Sequence, residues 1–216
     1  MRSRSRSQIP VLHCSRPGSA ARTLTTPQSL AWQLVRENSR SAMDEKALKD
    51  LIRDIPDFPE PGVIFKDITP LLGHADTFRS VVLHLADHHE DAGITKVAGI
   101  EARGFIFAAP VAAQLGAGFI PIRKAGKLPH DVESEDYALE YGSDLLEIHK
   151  DAAGPGDVVL IVDDVIATGG TVAASITLIE RLGAGVAGVA AVVELDFLGG
   201  RAKLPQAIDL LTLVHY

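Results

Sequence analysis

The sequence predicts an α/β fold in which helices cover both faces of a twisted, mainly parallel sheet. The first observation behind this prediction is a series of short apolar segments that alternate with helical patterns from about residue 76 onward. The second is an unbroken apolar run at residues 158–162, which is typical of a strand buried on both faces. The third is that charged residues and glycine turns follow several of these segments, as ligand-binding residues do at the carboxyl ends of parallel strands.

Composition and charge exclude several classes of protein. The 216 residues are enough for one domain with a large core. Residues 1–42 hold seven arginines and one acid, so the other 174 residues hold 14 basic and 27 acidic side chains, a net charge of −13. An acidic body with few aromatic residues argues against nucleic-acid partners, and no apolar run reaches the roughly 18 residues of a membrane helix. Cys14 is the only cysteine, which suits a reducing compartment, and we expect a cytoplasmic protein.

Residues 1–42 differ from the rest of the chain, and we exclude them from the fold. They are rich in arginine and serine and poor in acids. Three explanations remain open: an upstream extension from a misplaced start codon, with Met43 as the true first residue, an organellar transit peptide, or a disordered basic tail. We favour the first, while a transit peptide would imply import into an organelle. In each case residues 1–42 lie outside the fold, and one domain is predicted at residues 43–216.

The folded part is expected to begin with a helix at about residues 44–54, because apolar positions recur there at helical spacing. Three prolines and a glycine within residues 55–62 end that helix and predict an extended, turn-rich passage. A short strand or loop follows at residues 63–68, so that residues 55–70 form a small N-terminal hood. A second helix is predicted at residues 76–90.

An alternation of strands and helices then builds the sheet. The predicted elements are strand 97–100, helix 105–115, strand 119–122, strand 158–162, a helix ending at Gly183, strand 186–193 and an edge strand at 210–214. Residues 123–144 break this alternation because they are polar and contain two glycines and a proline. About twenty irregular residues inside a compact domain indicate a lid or a disordered insert, and we predict a flexible lid there.

Residues 158–171 combine a strand, an acidic pair, a glycine turn and the start of a helix. Backbone N–H groups in a glycine turn can approach a phosphate, and the helix N-terminus adds partial positive charge. Asp163 and Asp164 can hold sugar hydroxyls, or a metal ion that the same ligand carries. The segment lacks the Gly-Lys-Ser/Thr ending of a Walker loop, and its acids separate the glycines from the strand, unlike a dinucleotide fingerprint. It therefore predicts binding of a phosphorylated sugar with free hydroxyls.

Two groups of cations lie at other predicted strand ends. Arg103 follows a strand and precedes a helix, where a guanidinium can donate two parallel hydrogen bonds to a pyrophosphate. The alternative for Arg103 is a structural ion pair with Glu101 or a neighbour. Arg123, Lys124 and Lys127 begin the predicted lid, where they can neutralise a leaving pyrophosphate or form an ordinary solvated loop.

Five motifs, in the family's order and spanning about residues 44–216, resemble the adenine phosphoribosyltransferases, which have the type I phosphoribosyltransferase fold. The acidic pair and glycine turn resemble the family's signature for 5-phosphoribosyl 1-pyrophosphate (PRPP). Residues 101–105 are similar to its pyrophosphate loop, and residues 123–129 to its Arg-Lys-x-Gly-Lys-Leu-Pro element. Residues 139–142 match its Leu-Glu-Tyr-Gly element, and residues 58–69 closely resemble the hood that selects adenine.

The resemblance implies conversion of adenine and PRPP into AMP and pyrophosphate by a homodimer in purine salvage. It implies a requirement for Mg²⁺, bound mainly through PRPP rather than by protein ligands. Implied catalytic residues are Glu140, as acid or base toward the purine ring, with Arg103 and Lys127. Implied adenine contacts are Ile64, Phe65 and Lys66. Implied PRPP contacts are Arg103, Arg123, Lys124, Lys127, Asp163, Asp164, Ala167, Thr168, Gly169, Gly170 and Thr171.

Two alternatives to this function remain open, and one residue departs from the family. Lys66 stands where many members have arginine; a backbone contact to the base tolerates this change, whereas a guanidinium-specific contact does not. The first alternative is a transferase for hypoxanthine, guanine or xanthine, against which the hood motif argues. The second is a PRPP-sensing regulator without catalysis, against which the acidic body and Glu140 argue.

Overall fold

The computed structural model describes residues 44–138 and 143–216. Helix α1 (Glu45–Lys49) begins behind Asp44, whose carboxylate accepts a hydrogen bond of 3.0 Å from the backbone N–H of Lys46. It is shorter than predicted, because the chain soon enters strand β1 (Arg53–Pro56), which pairs antiparallel with β2 (Ile64–Asp67). This two-stranded sheet is the core of the predicted hood.

Two helices connect the hood to the main sheet. The short helix α2 (Thr69–Gly73) is followed by α3 (Ala75–His88), which confirms the predicted second helix, and then by a 3₁₀ turn at Glu90–Ala92. Residues such as Val81 and Leu85 on α3 are fully buried. They recur at helical spacing, which is the pattern that predicts an amphipathic helix.

The main sheet contains the remaining strands of the described residues. These are β3 (Lys96–Ile100), β4 (Gly118–Lys124), β5 (Val132–Ala138), β6 (Ser143–His149), β7 (Val158–Ile166), β8 (Gly185–Glu194) and β9 (Asp209–His215). Their spatial order is β5-β6-β4-β3-β7-β8-β9. Strands β4, β3, β7, β8 and β9 run parallel, whereas β6 pairs antiparallel with both β4 and β5. The parallel sheet and the edge position of the last strand are as predicted.

Helices cover both faces of this sheet. Helix α4 (Gly104–Leu115) packs with α3 on one face, and α5 (Gly170–Arg181) packs on the other. Leu160 and Ile161 on β7 are both fully buried, yet they join the two opposite clusters. This double coverage explains why β7 is continuously apolar rather than alternating. None of the helices in the described ranges combines the length and hydrophobicity that a bilayer crossing requires.

The prediction of irregular backbone throughout residues 123–144 was wrong, because β5 and β6 form an antiparallel hairpin there. The side chains of Glu133 and Glu135 point toward α5, where Arg181 contacts both carboxylates at 3.7 and 2.5 Å. Acids thus occupy positions on the inward face of β5 where a half-buried strand usually has apolar residues. The alternation that would predict a strand is therefore missing from the sequence. Residues 139–142 lie outside the described ranges, so lid motion stays a prediction. Residues 1–43 lie outside them as well, and the extension at 1–42 also stays a prediction.

Candidate active site

The predicted site residues converge at the carboxyl edge of the parallel strands. The ends of β3, β4 and β7, together with the start of α5, surround a cavity of about 240 Å³. Predicted residues that line it are Arg103, Lys124, Asp163, Asp164, Ala167, Thr168, Gly169 and Thr171. These residues come from three separate sequence segments, and their convergence is what a parallel sheet of this topology predicts.

The acidic pair lies inside the sheet edge rather than after it, because β7 continues past the pair to Ile166. Asp163 is 8% exposed and Asp164 4% exposed. Burial and the nearby charge of Asp164 raise the pKa of Asp163 well above its ordinary value. Burial also raises the pKa of Asp164, although the charge of Arg103 opposes that rise. The positive charge beside the pair is therefore too small to stabilise two ionised, buried carboxylates.

Close packing positions this pair against helix α4. A Cβ atom on Gly104 would lie 2.6 Å from the Oδ1 atom of Asp163 and 3.0 Å from the carbonyl oxygen of Val162. Only glycine therefore lets the first turn of α4 approach β7 this closely. The peptide bond between Glu101 and Ala102, just before this turn, is cis.

Arg103 connects the acidic pair to the hood. Its Nε atom lies 2.7 Å from Oδ2 of Asp164, and its guanidinium carbon lies 4.8 Å from the ring centroid of Phe65. The structural alternative for Arg103 was an ion pair with Glu101 or a neighbour; Arg103 pairs with Asp164, which lines the cavity, rather than with Glu101. A half-buried guanidinium with these neighbours can reach a ligand that spans both regions.

Glu101, which sequence reasoning considered only as a partner for Arg103, organises the basic cluster instead. Its carboxylate contacts Nζ of Lys127, Nε of Arg123 at 3.2 Å and the backbone N–H of Lys124 at 3.1 Å. Burial raises the pKa of Glu101, but these donors outweigh burial and hold it below its ordinary value. Arg123 and Lys127 therefore share a single carboxylate next to the cavity and keep a net positive charge, while Lys124 lines the cavity and pairs with Asp144 at 2.9 Å.

The glycine turn has the geometry of an anion-binding loop at a helix N-terminus. Gly169 precedes α5 with φ of +76°, a backbone conformation that favours glycine, and Gly170 is the first residue of the helix. A Cβ on Gly169 would collide with the backbone of Gly200, and one on Gly200 would collide with the carbonyl of Ala167. Gly200 therefore supports the turn from behind. Sequence reasoning missed it, although the Gly199–Gly200 pair was a visible signal.

The hood closes a second, mainly apolar cavity of about 180 Å³ beside the first. The predicted residues Ile64, Phe65 and Lys66 line it, and the ring of Phe65 packs edge to face against Phe58 at 5.2 Å between centroids. Val193 and Leu195, at the end of β8, line the opposite side and were not predicted. A flat apolar ring fits such a pocket, because apolar walls with a few polar groups are usual for small ligands.

The side chain of Lys66 has its own partners within the fold. Its Nζ atom lies 2.7 Å from the carboxylate of Asp54 and 3.6 Å from the ring centroid of Tyr216. This arrangement leaves the backbone of Lys66 as the group available to the apolar cavity. The geometry therefore favours a contact to the base through the backbone of this residue, which tolerates lysine in place of arginine.

Glu140, the predicted acid or base, lies outside the described residues. Its neighbour in sequence, Tyr137, lines the larger cavity and was not predicted. The hydroxyl of Tyr137 donates to the carboxylate of Asp144 at 3.2 Å, and burial, with the charge of Asp144, raises the pKa of Tyr137. Tyr137 is buried although its strand is mainly polar, so the composition of this segment did not indicate that Tyr137 lines the cavity.

Comparisons with known proteins agree with this geometry. Residues 77–208 match the family model for the phosphoribosyl transferase domain. The adenine phosphoribosyltransferase of Nitrosococcus oceani is 60% identical over 169 residues, covering 78% of this chain and 98% of that relative. The solved structure of the adenine phosphoribosyltransferase from Rhodothermus marinus is 51% identical, with a TM-score of 0.77, covering 80% of this chain and 98% of that one. The Saccharomyces cerevisiae enzyme, complexed with an imino-altritol bisphosphate and adenine, is 42% identical with a TM-score of 0.73, covering 78% and 97%.

Proposed function

The chain belongs to the adenine phosphoribosyltransferases, and we propose from this and from its site that it converts adenine and PRPP into AMP and pyrophosphate, in purine salvage. One observation carries the proposal: the polar cavity and the apolar hood cavity share Arg103, Asp164, Val165 and Ala167. A phosphorylated sugar in the first cavity and a purine in the second would therefore meet at these residues. Holding two reactants in contact supplies a large part of the acceleration in such a transfer.

The polar cavity suits each part of PRPP. The turn from Thr168 to Thr171 offers backbone N–H groups, hydroxyls and a helix N-terminus to the 5′-phosphate. Asp163 and Asp164 accept hydrogen bonds from the ribose hydroxyls, which fixes the sugar above the sheet edge. A carboxylate pair short of positive charge gains from such donors, since hydrogen bonds stabilise the ionised form.

Transfer then requires three linked changes at the sugar. The bond between the anomeric carbon and pyrophosphate breaks, and the carbon gains oxocarbenium character, as in glycoside chemistry. A ring nitrogen of adenine forms the new bond, and Glu140 takes the proton that this nitrogen loses. Pyrophosphate leaves with the bonding electron pair.

Nearby cations stabilise the leaving group. Arg103 and Lys124 line the cavity, and Arg123 and Lys127 reach the pyrophosphate by exchanging their contacts with Glu101 for contacts with phosphate oxygens. The negative charge that develops on pyrophosphate would thus be met by side chains already gathered beside the cavity.

Mg²⁺ fits this site, because carboxylate oxygens are hard ligands and a phosphorylated substrate supplies more of them. Asp163 and Asp164 are the side chains on hand to hold its hydration shell. When bound, the ion adds positive charge to the pyrophosphate.

We also propose that the protein is a homodimer and that it acts in the cytoplasm. Size-exclusion chromatography with light scattering tests the oligomeric state, and cell fractionation tests the localisation.

Pyrophosphate release from PRPP and Mg²⁺ tests the function directly. The full chain is offered adenine, hypoxanthine, guanine, xanthine or no base, and we expect release with adenine alone. Release with another base would keep the PRPP site and overturn the assignment of the hood. Binding of PRPP without release in any reaction would overturn the enzyme assignment and favour a sensor.

A further inference from the structure

A cluster of two histidines and an aspartate lies at the amino ends of the parallel strands, opposite the edge of the sheet that holds the substrate cavities. His88 and His89 end helix α3, and Asp209 begins the edge strand β9. The Nε2 atom of His88 lies 2.9 Å from Oδ2 of Asp209, and that of His89 lies 3.7 Å from the same oxygen. The three atoms all lie within 4.8 Å of one another.

The buried member of this cluster has one nitrogen without a partner. His89 is 2% exposed, and its Nδ1 atom lies 3.1 Å from the carbonyl oxygen of Leu85. A carbonyl only accepts hydrogen bonds, so Nδ1 carries the proton and Nε2 of the neutral ring presents a lone pair. That Nε2 atom is buried and has no hydrogen-bond partner.

Asp209 does not satisfy this lone pair. A carboxylate oxygen is also an acceptor, so the two atoms face each other without a proton between them. A second proton on His89 would resolve the mismatch, but it would place a positive charge on a ring that is 2% exposed, which is unfavourable. Buried polar atoms are nearly always satisfied, and an exception in a native fold calls for a specific partner.

The packing around His89 holds its ring in place for such a partner. A Cβ atom on Gly188, in strand β8, would lie 2.8 Å from Nε2 of His89, so only glycine leaves room for the imidazole. Hydrogen bonding of one ring nitrogen to a backbone carbonyl, with the other nitrogen free, is the usual arrangement of a metal-binding histidine. His88 and Asp209 are exposed and can adjust by side-chain rotation.

We propose that His88, His89 and Asp209 bind a divalent transition-metal ion such as Zn²⁺, which ties the end of α3 to the edge strand β9. Two imidazole nitrogens and one carboxylate oxygen are a usual ligand set for Zn²⁺ at distances of about 2.0–2.2 Å, with water as a fourth ligand. Mg²⁺ prefers all-oxygen sites, so this site is separate from the Mg²⁺ that accompanies the substrate.

The test compares Zn²⁺ binding by four versions of the full chain in metal-free buffer, measured by isothermal titration calorimetry. These are the natural sequence, His88→Gln, Asp209→Asn and the control His130→Gln, which changes an exposed histidine elsewhere. We expect one Zn²⁺ per chain for the natural sequence and the control, and at least about tenfold weaker binding for the other two. Any background site that does not include His130 is common to all four proteins and cancels in the comparison.

A second measurement identifies the ligands. Cu²⁺ added in place of Zn²⁺ should give an electron paramagnetic resonance spectrum with coupling to two nitrogens, and His88→Gln should leave one. Both substitutions lie at exposed positions, so the variants should fold, and adenine transfer should be unchanged. Equal affinity in all four proteins, or no saturable uptake by the natural sequence, would overturn the proposal.

Discussion

Two neighbouring strands carry buried carboxylates near their carboxyl ends, and the environments of those carboxylates are opposite. Glu194, at the end of β8, is 3% exposed and receives hydrogen bonds from Arg201 at 3.0 and 2.6 Å and from Thr212 at 2.8 Å. Burial raises its pKa, but these donors outweigh burial, so the pKa lies below its ordinary value. Asp163 and Asp164, near the end of β7, are buried to a similar depth, yet their pKa values are raised.

The difference is the one expected between a structural carboxylate and a ligand-binding carboxylate. Every oxygen of Glu194 has a partner within the fold, so nothing is gained by adding a ligand. In the acidic pair, Asp164 contacts the guanidinium of Arg103, Asp163 forms no ion pair within the described ranges, and both residues line a cavity. Raised pKa values in a cleft mark functional sites, because the protein tolerates unfavourable charge there for the sake of binding.

The strongest test of this comparison removes charge from the functional pair. Asp164→Asn leaves the shape of the site but removes the partner of Arg103 and one acceptor for the ribose. We expect turnover to fall by about 100-fold or more, equivalent to about 2.7 kcal/mol, with an unchanged circular dichroism spectrum. Asp76→Asn, at an exposed position on α3, is the control and should keep full activity. Near-normal rates for Asp164→Asn would show that this carboxylate is not part of the site.

The matching change on β8 should act on stability instead. Glu194→Gln keeps the size of the side chain and weakens its charged hydrogen bonds, and we expect a loss of about 2 kcal/mol in the free energy of unfolding, measured in urea. Because the folded pKa of Glu194 is lowered, its contribution exists above the unfolded value of about 4.3 and is lost as the pH falls through the folded value. The deficit of the variant should therefore shrink in acid. A deficit that persists unchanged at low pH would contradict this account.

The two regions are joined through the turn after β8. Arg201, which holds Glu194, follows Gly200, whose backbone supports the phosphate turn at Ala167 and Gly169. In Gly200→Ala the added Cβ would lie 2.9 Å from the backbone nitrogen of Gly169, so the turn has to move. We expect the KM for PRPP to rise about tenfold, with little change in the KM for adenine, because small displacements of binding groups are costly.

Gly73→Ala is the control for this prediction. A Cβ atom there would meet no heavy atom within 4 Å, so the change alters glycine content without touching the phosphate turn. Initial-rate kinetics with each substrate varied in turn separates the two KM values. An equal rise in both KM values for Gly200→Ala would indicate general loosening rather than displacement of the phosphate turn.

The sequence predicted the parts of this molecule where local pattern and tertiary role agree. The apolar run at residues 158–162 and the glycine turn behind it describe a buried strand and an anion-binding helix start without reference to distant residues. The placement of Asp163 and Asp164 at the carboxyl edge follows from topology alone. The convergence of Arg103 and Lys124 on the same cavity follows in the same way.

What could not be predicted depends on contacts between distant residues. The hairpin of β5 and β6 was missed because the strand pattern carries acids that meet Arg181 on α5. The role of Glu101 depends on the return of β4 beside β3, which brings Arg123 to its carboxylate. Gly200 supports the turn at Gly169 across 31 positions of sequence; the Gly199–Gly200 pair is visible in the sequence, but a single chain does not show which distant turn it packs against.

The smallest effect is expected for Asp163→Asn, which should raise the free energy of unfolding, whereas Glu194→Gln should lower it. Asp163→Asn removes a buried carboxyl group that accepts a backbone hydrogen bond from Asp164 at 2.9 Å but forms no ion pair with any described residue, so the protein without substrate should gain about 1 kcal/mol in the free energy of unfolding at neutral pH. The raised folded pKa means that the contribution of Asp163 to stability is full below its unfolded value of about 3.9 and is lost as the pH rises through the folded value. The advantage of asparagine should therefore vanish in acid, where both states of the natural protein are protonated.

Urea titrations of both proteins at neutral and acidic pH measure this change, and PRPP should lose affinity for the variant although the fold is more stable. A variant that is less stable at neutral pH would place Asp163 with Glu194 among the satisfied carboxylates and remove the contrast between the two strand ends.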